Sequence, residues 1–123
     1  MNSKNLSQVV VTALEDMKGQ SISCIDVREL TSLADYMVIA TGTSNTHVKA
    51  LAHDVTKAIK DANIKLVGSE GRSHSEWVLV DAGDVIVHLM LAKARAAYKL
   101  EDLWDFSSRK AADDEAMNAD SNE

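Results

Sequence analysis

Apolar residues recur at three- and four-residue intervals near the start of the chain, where Leu6, Val9, Val10, Ala13, Leu14 and Met17 line one face of an amphipathic helix. Ser3 or Asn5 is placed to cap that helix and Gly19 to stop it. Ile22 to Val27 and Tyr36 to Thr41 are short and β-branched, and the turn-rich stretch Leu30 to Asp35 separates them, so they are expected as two strands. The second is apolar on both faces and therefore expected inside a sheet. Ser44 can cap a second helix whose buried stripe is Val48, Leu51, Ala52, Val55, Ile59 and Ala62, with Asn63 ending it. A short strand around Ile64 to Val67 should follow, then a polar loop from Gly68 to Ser75. Trp77 to Asp81 and Asp84 to Leu91 form a β-hairpin meeting at Ala82-Gly83, and Leu100, Leu103 and Trp104 suggest a last short helix. The order αββαβββα implies an α/β fold, a mixed β-sheet of about five strands packed by helices.

The hairpin carries the most information. Pairing across its turn sets Val80 against Val85, Leu79 against Ile86, Val78 against Val87 and Trp77 against His88. Side chains alternate across a strand, so Val78, Val80, Val85, Val87 and Leu89 share one face, while Trp77, Leu79, Ile86, His88 and Met90 share the other. The aliphatic face suits a core beneath helices. Trp and Met are enriched in interface cores, so the mixed face is a binding surface if the helices cover only one side of the sheet, and a second core if they cover both.

Composition narrows the class without deciding it. The chain has 123 residues, room for one domain, and is 46% hydrophobic and 26% charged, as a globular protein is. Residues 1–106 make up that domain. Ser107 to Glu123 is an Ala, Asp, Asn and Ser segment without periodicity, expected to be a disordered acidic tail. Net charge is -6, but Asp113, Asp114, Glu115, Asp120 and Glu123 all lie after residue 112, where there is no basic residue, which leaves residues 1–112 near neutral with 13 basic and 14 acidic side chains. No basic excess advertises direct, sequence-specific contact with nucleic acid. There is no run of about 18 apolar residues to cross a membrane, and neither a signal-peptide core nor an Arg-rich transit pattern, so the expected place is the cytoplasm. The single cysteine, Cys24, lies in an apolar run and is expected to be buried.

Four separated motifs then carry a resemblance. Asp35 to Ser44 (DYMVIATGTS), Glu70-Gly71, Trp77 to His88 (WVLVDAGDVIVH), and Arg95 followed by Tyr98 to Trp104 (YKLEDLW) stand in order and at the spacing of the ribosomal silencing factor (Iojap) family. The chain resembles that family over about residues 5 to 106, a single-domain span. The resemblance implies a mixed α/β domain distantly like the nucleotidyltransferase fold, a possible homodimer when free, and no enzymatic activity or cofactor. It implies a translational repressor that binds the large ribosomal subunit through universal large-subunit protein fourteen and sterically blocks joining of the small subunit, lowering translation in starvation or stationary phase. A role in large-subunit assembly or maturation is the alternative. Carried onto this sequence, the partner-binding residues are Trp77, Leu79, His88, Met90, Tyr98, Leu100 and Glu101, with Asp81, Asp84 and Asp102 as a possible acidic rim.

Other chemistries find little support. Gly42-Thr43-Ser44 opens a helix and has the form of a phosphate cradle, but nucleotidyl transfer also needs paired carboxylates for Mg²⁺, and Asp81 and Asp84 flank a turn where local backbone is the simpler partner. His47 and His53 are six apart and share no helix face, His74 is in a loop and His88 on a strand, so no metal site follows from spacing. Structural alternatives also stand for single residues: His88 as a cap on the packing of Trp77, Glu70 and Gly71 as the fixing of the turn before the hairpin, and Arg95 as the partner of a carboxylate on the final helix.

Overall fold

The structure is a computed structural model that describes residues 2–71 and 76–98, with the side chain of Tyr98 excepted. In chain order the elements are α1 (Ser3–Asp16), β1 (Gln20–Asp26), β2 (Tyr36–Gly42), α2 (Asn45–Asp61), β3 (Gly68–Glu70), β4 (Trp77–Asp81), β5 (Val85–Leu91) and α3 (Ala92–Tyr98). The five strands form one sheet in the order β1-β2-β5-β4-β3. The β2–β5 pair is parallel and the other pairs antiparallel. This is the mixed α/β arrangement that the alternation of elements implies.

Both long helices end as their sequences dictate. Asn2, one residue ahead of the expected caps, accepts the Asn5 N–H at 2.8 Å, and Ser44 accepts the His47 N–H at 3.1 Å. Ser3 and Asn5 themselves lie inside α1. At the far ends Lys18 and Asn63 take left-handed backbone, with φ 61° and 64°. Gly19 and Ile64 then return their N–H groups to Leu14 and Ile59 at 2.7 and 3.2 Å, closing two Schellman motifs. Gly19 eases a close approach, since a Cβ there would sit a tight 3.1 Å from the Leu14 carbonyl oxygen.

Helices α1 and α2 lie side by side on one sheet face. Leu6, Val10 and Leu14 of α1 and Val48, Leu51, Val55 and Ile59 of α2 meet Val38, Ala40, Val78, Val80, Val85, Val87 and Leu89. The aliphatic hairpin face is thus the core face. Each such side chain fully removed from water contributes about 1.5–3 kcal/mol before conformational entropy is counted. Gly42 lets α2 leave β2 at close quarters, because a Cβ there would stand 2.6 Å from Val48 Cγ2.

Several expectations are corrected. No strand forms over Ile64 to Val67; Val67 only opens the pairing by donating to the Asp81 carbonyl at 2.8 Å, and β3 falls on Gly68–Glu70, inside the expected loop. An edge strand needs backbone rather than β-forming side chains, and the backbone of β4 was available there. The hairpin turn is Gly83-Asp84. Gly83 adopts φ 88°, and its N–H donates to Asp81 Oδ1 at 2.8 Å. Trp77 therefore pairs with Met90, Val78 with Leu89, Leu79 with His88 and Val80 with Val87. This register is two residues from the expected one, a slip that leaves every side chain on its expected face. Cys24 is exposed, because β1 is an edge strand that α1 covers only in part. A helix also forms where none is expected, over the alanine-rich Ala92–Tyr98, directly continuous with β5. The expected helix at Leu100, Leu103 and Trp104 and the tail lie outside the described residues.

Candidate docking face

On the other side of the sheet the register aligns side chains in rows. Ile39, His88 and Leu79 stand abreast on β2, β5 and β4, as do Thr41, Met90 and Trp77. The β2 half of this face is closed from above. Val27, Leu30 and Ala34 of the β1–β2 connection and Ala94 of α3 pack with Met37, Ile39 and Met90. Arg95 fastens α3 in place, donating to Thr41 Oγ1 at 2.8 Å and Ser23 Oγ at 3.1 Å. Among the described residues its hydrogen bonds are thus to two hydroxyls across the sheet.

The β4–β5 half is different. Trp77, Leu79, Ile86 and His88 remain half-buried. Trp77 and His88 lie diagonally across the pair, with ring centroids 5.6 Å apart and planes tilted by 53°. The indole Nε1–H donates to His88 Nδ1 at 2.9 Å. Burial pushes the imidazole down to about 4, so His88 is neutral at physiological pH. Met90 is fully buried; it supports Trp77 from within and does not itself form part of the exposed face. Ile86, absent from the contact set drawn from the resemblance, belongs to the open half, and its alternation with Val85 and Val87 already placed it there. Tyr98's side chain, Leu100, Glu101 and Asp102 lie outside the described residues.

The surrounding carboxylates have distinct roles. Asp81 fastens the turn through Gly83, as the structural alternative holds, whereas Asp84 is exposed and uses its backbone carbonyl to accept from the Asp35 and Tyr36 N–H groups at 2.7 and 3.1 Å. Glu70 pairs with Leu79 on the edge of the face. Gly71 has φ 138° and packs so closely that a Cβ would lie 2.8 Å from Val78 Cγ2. That crowding accounts for Gly71 without a ligand.

At the start of α2 His47 is held by the chain itself. The Thr43 N–H donates to His47 Nδ1 at 2.8 Å, and His47 Nε2 reaches the Met17 carbonyl at 2.9 Å, pinning the end of α1 to the start of α2. No group of three or more His, Cys, Asp or Glu side chains among the described residues is placed to hold a metal. No helix among them is long and apolar enough to cross a membrane.

Across residues 1–123 the sequence matches the family described as "Ribosomal silencing factor during starvation". The chain belongs to this family. Ribosomal silencing factor RsfS of Chromobacterium violaceum is 50% identical over 104 residues, 85% of this chain and 85% of that protein. A crystal structure of a Chromobacterium violaceum protein superposes with a TM-score of 0.83 at 50% identity, covering 85% of this chain and 88% of that one. A mouse protein named Mitochondrial assembly of ribosomal large subunit protein 1 is 34% identical over 103 residues, 81% of this chain but 45% of its own length. As a ribosomal silencing factor this chain is a ribosome-associated regulator of translation.

Proposed function

We propose that this silencing factor docks on the large ribosomal subunit through the β4–β5 half of its sheet, with universal large-subunit protein fourteen as the contact, and blocks the small subunit from joining. The observation that carries the reading is the uneven cover of the sheet: two long helices seal one face, while Trp77, Leu79, Ile86 and His88 stay half-buried on the other. Trp77 suits the role of anchor, a large ring whose rotamer is already fixed by its bond to His88. Ribosomal proteins are typically basic, so the exposed Asp84 and the charge of Asp81 form a complementary rim, which acts more on association rate than on affinity. Blocking by occupancy requires no covalent chemistry.

A second reading has its own support. The mouse relative is named for assembly of the large subunit, and an assembly factor would use the same contact with a different outcome. Gradient sedimentation of purified subunits at joining magnesium concentration separates the two. The expected result is that wild-type protein travels with the large subunit and suppresses the joined peak, while Trp77→Ala does neither. Binding without loss of joining favours assembly, and unchanged joining with no binding overturns docking by this face.

A further inference from the structure

We propose that His88 is a hydrogen-bond donor of the docking face, its Nε2–H aimed at an acceptor oxygen of the partner protein and fixed there by the bond Trp77 makes to the opposite ring nitrogen. The proposal rests on the reading that this face docks on the large subunit, and it adds which polar contact selects the partner.

The tautomer follows from donor and acceptor chemistry. An indole N–H only donates, so the 2.9 Å contact from Trp77 Nε1 requires a lone pair on His88 Nδ1. In a neutral imidazole the one proton then lies on Nε2. Burial of the ring keeps it neutral, so the tautomer persists through the physiological range. Among the described residues Nε2 has no hydrogen-bond partner, and His88 is only half-buried, so this donor can be reached from outside the sheet. Its strand neighbours on the face are Ile39 and Leu79, which have no side-chain acceptor to offer.

Docking changes the balance. A partner that covers Trp77 and Leu79 excludes water from Nε2, and a donor buried without an acceptor opposes binding. The partner that fits therefore places an oxygen over His88, and because the imidazole is uncharged, a neutral acceptor such as a backbone carbonyl suffices. A surface that matches the apolar row but lacks that oxygen is rejected, which gives specificity to a contact otherwise built from aromatic and aliphatic area.

The test compares binding of purified large subunits by wild-type protein, Trp77→Ala, His88→Asn and His88→Gln, with thermal melts to confirm that each variant is folded. An Asn amide oxygen takes the place of Nδ1 and keeps the Trp77 bond while removing the Nε2 donor; a Gln amide nitrogen reaches the place of Nε2 and keeps the donor. The expected result is a loss of about tenfold for His88→Asn and under about threefold for His88→Gln. Imidazole nitrogen shifts of the free protein should show Nδ1 unprotonated and Nε2 protonated near neutral pH. If His88→Asn binds as wild type while Trp77→Ala does not, the donor role is overturned and docking by this face stands. Equal losses for Asn and Gln reduce His88 to packing, and a proton found on Nδ1 overturns the proposal outright. If all four proteins bind alike, docking by this face itself is wrong.

Discussion

The two faces of the sheet share the strands β2, β4 and β5, yet they solve different problems. The face beneath α1 and α2 presents only aliphatic side chains from β4 and β5, with nothing to hydrogen-bond and nothing exposed. The opposite face carries polar atoms that bond to one another, Thr41 to Arg95 and Trp77 to His88, and among the described residues its β4–β5 half stays only half-buried. Overall hydrophobicity does not separate the two. The difference lies in what each face must leave available, since a permanent core needs no donors whereas a surface that meets a partner needs rigid anchors and a few fixed polar atoms.

Truncation on the closed side should break the fold and truncation on the open side should spare it. Leu51→Ala, at a site fully buried between α2 and the sheet, is expected to cost about 2–5 kcal/mol in denaturant unfolding. The open face is expected to show itself in acid instead. His88 titrates near 6.5 when unfolded and about 4 when folded, so the unfolded chain binds the extra proton between those values. Stability therefore falls as pH drops from 6.5 to 4, by up to about 3 kcal/mol, and no further from this group below that. Subtracting the stability profile of His88→Asn from that of wild type isolates the effect from the carboxylates; a flat difference would mean the imidazole is not desolvated. Gly42→Ala tests the tightness of the closed side, where the added methyl meets Val48, and should cost about 1–3 kcal/mol by thermal or chemical unfolding while leaving docking unchanged once folded. The smallest effect on stability is expected at half-buried Leu79, where Leu79→Ser should cost under about 1 kcal/mol yet weaken binding to large subunits.

Much of this comparison was legible in the residues. Alternation along Trp77–Asp81 and Val85–Leu91 sorts the two faces correctly even though the hairpin register is two positions from the expected one, because side chains repeat with that same period. The slip matters only for pairs, and it turns Trp77 and His88 from direct neighbours into diagonal ones. Its source is local: Gly83 and Asp81 together make a turn at Gly83-Asp84 rather than one step earlier. What periodicity cannot convey is what lies over a face. Cover on the β2 half comes from the Val27–Ala34 connection and from an alanine-rich helix, neither of which has an apolar stripe to announce it. Burial of Met90 and exposure of Cys24 both follow from that cover and from the sheet's edge, which are tertiary facts.

The parallel pairing of β2 with β5 also sets the order in which the molecule can be made. Tyr36 pairs with Val85, so the ladder joins residues 49 positions apart, across α2, β3 and β4. Non-local pairs of this kind must close a long loop before any contact rewards it. While the chain is being synthesised, β2 waits with an unpaired edge and an apolar face on each side until β5, the last described strand, has emerged. A protein that regulates translation thus has an interior strand whose pairing depends on its own translation reaching β5, and a nascent chain stalled before Val85 would leave an apolar strand with an unpaired edge.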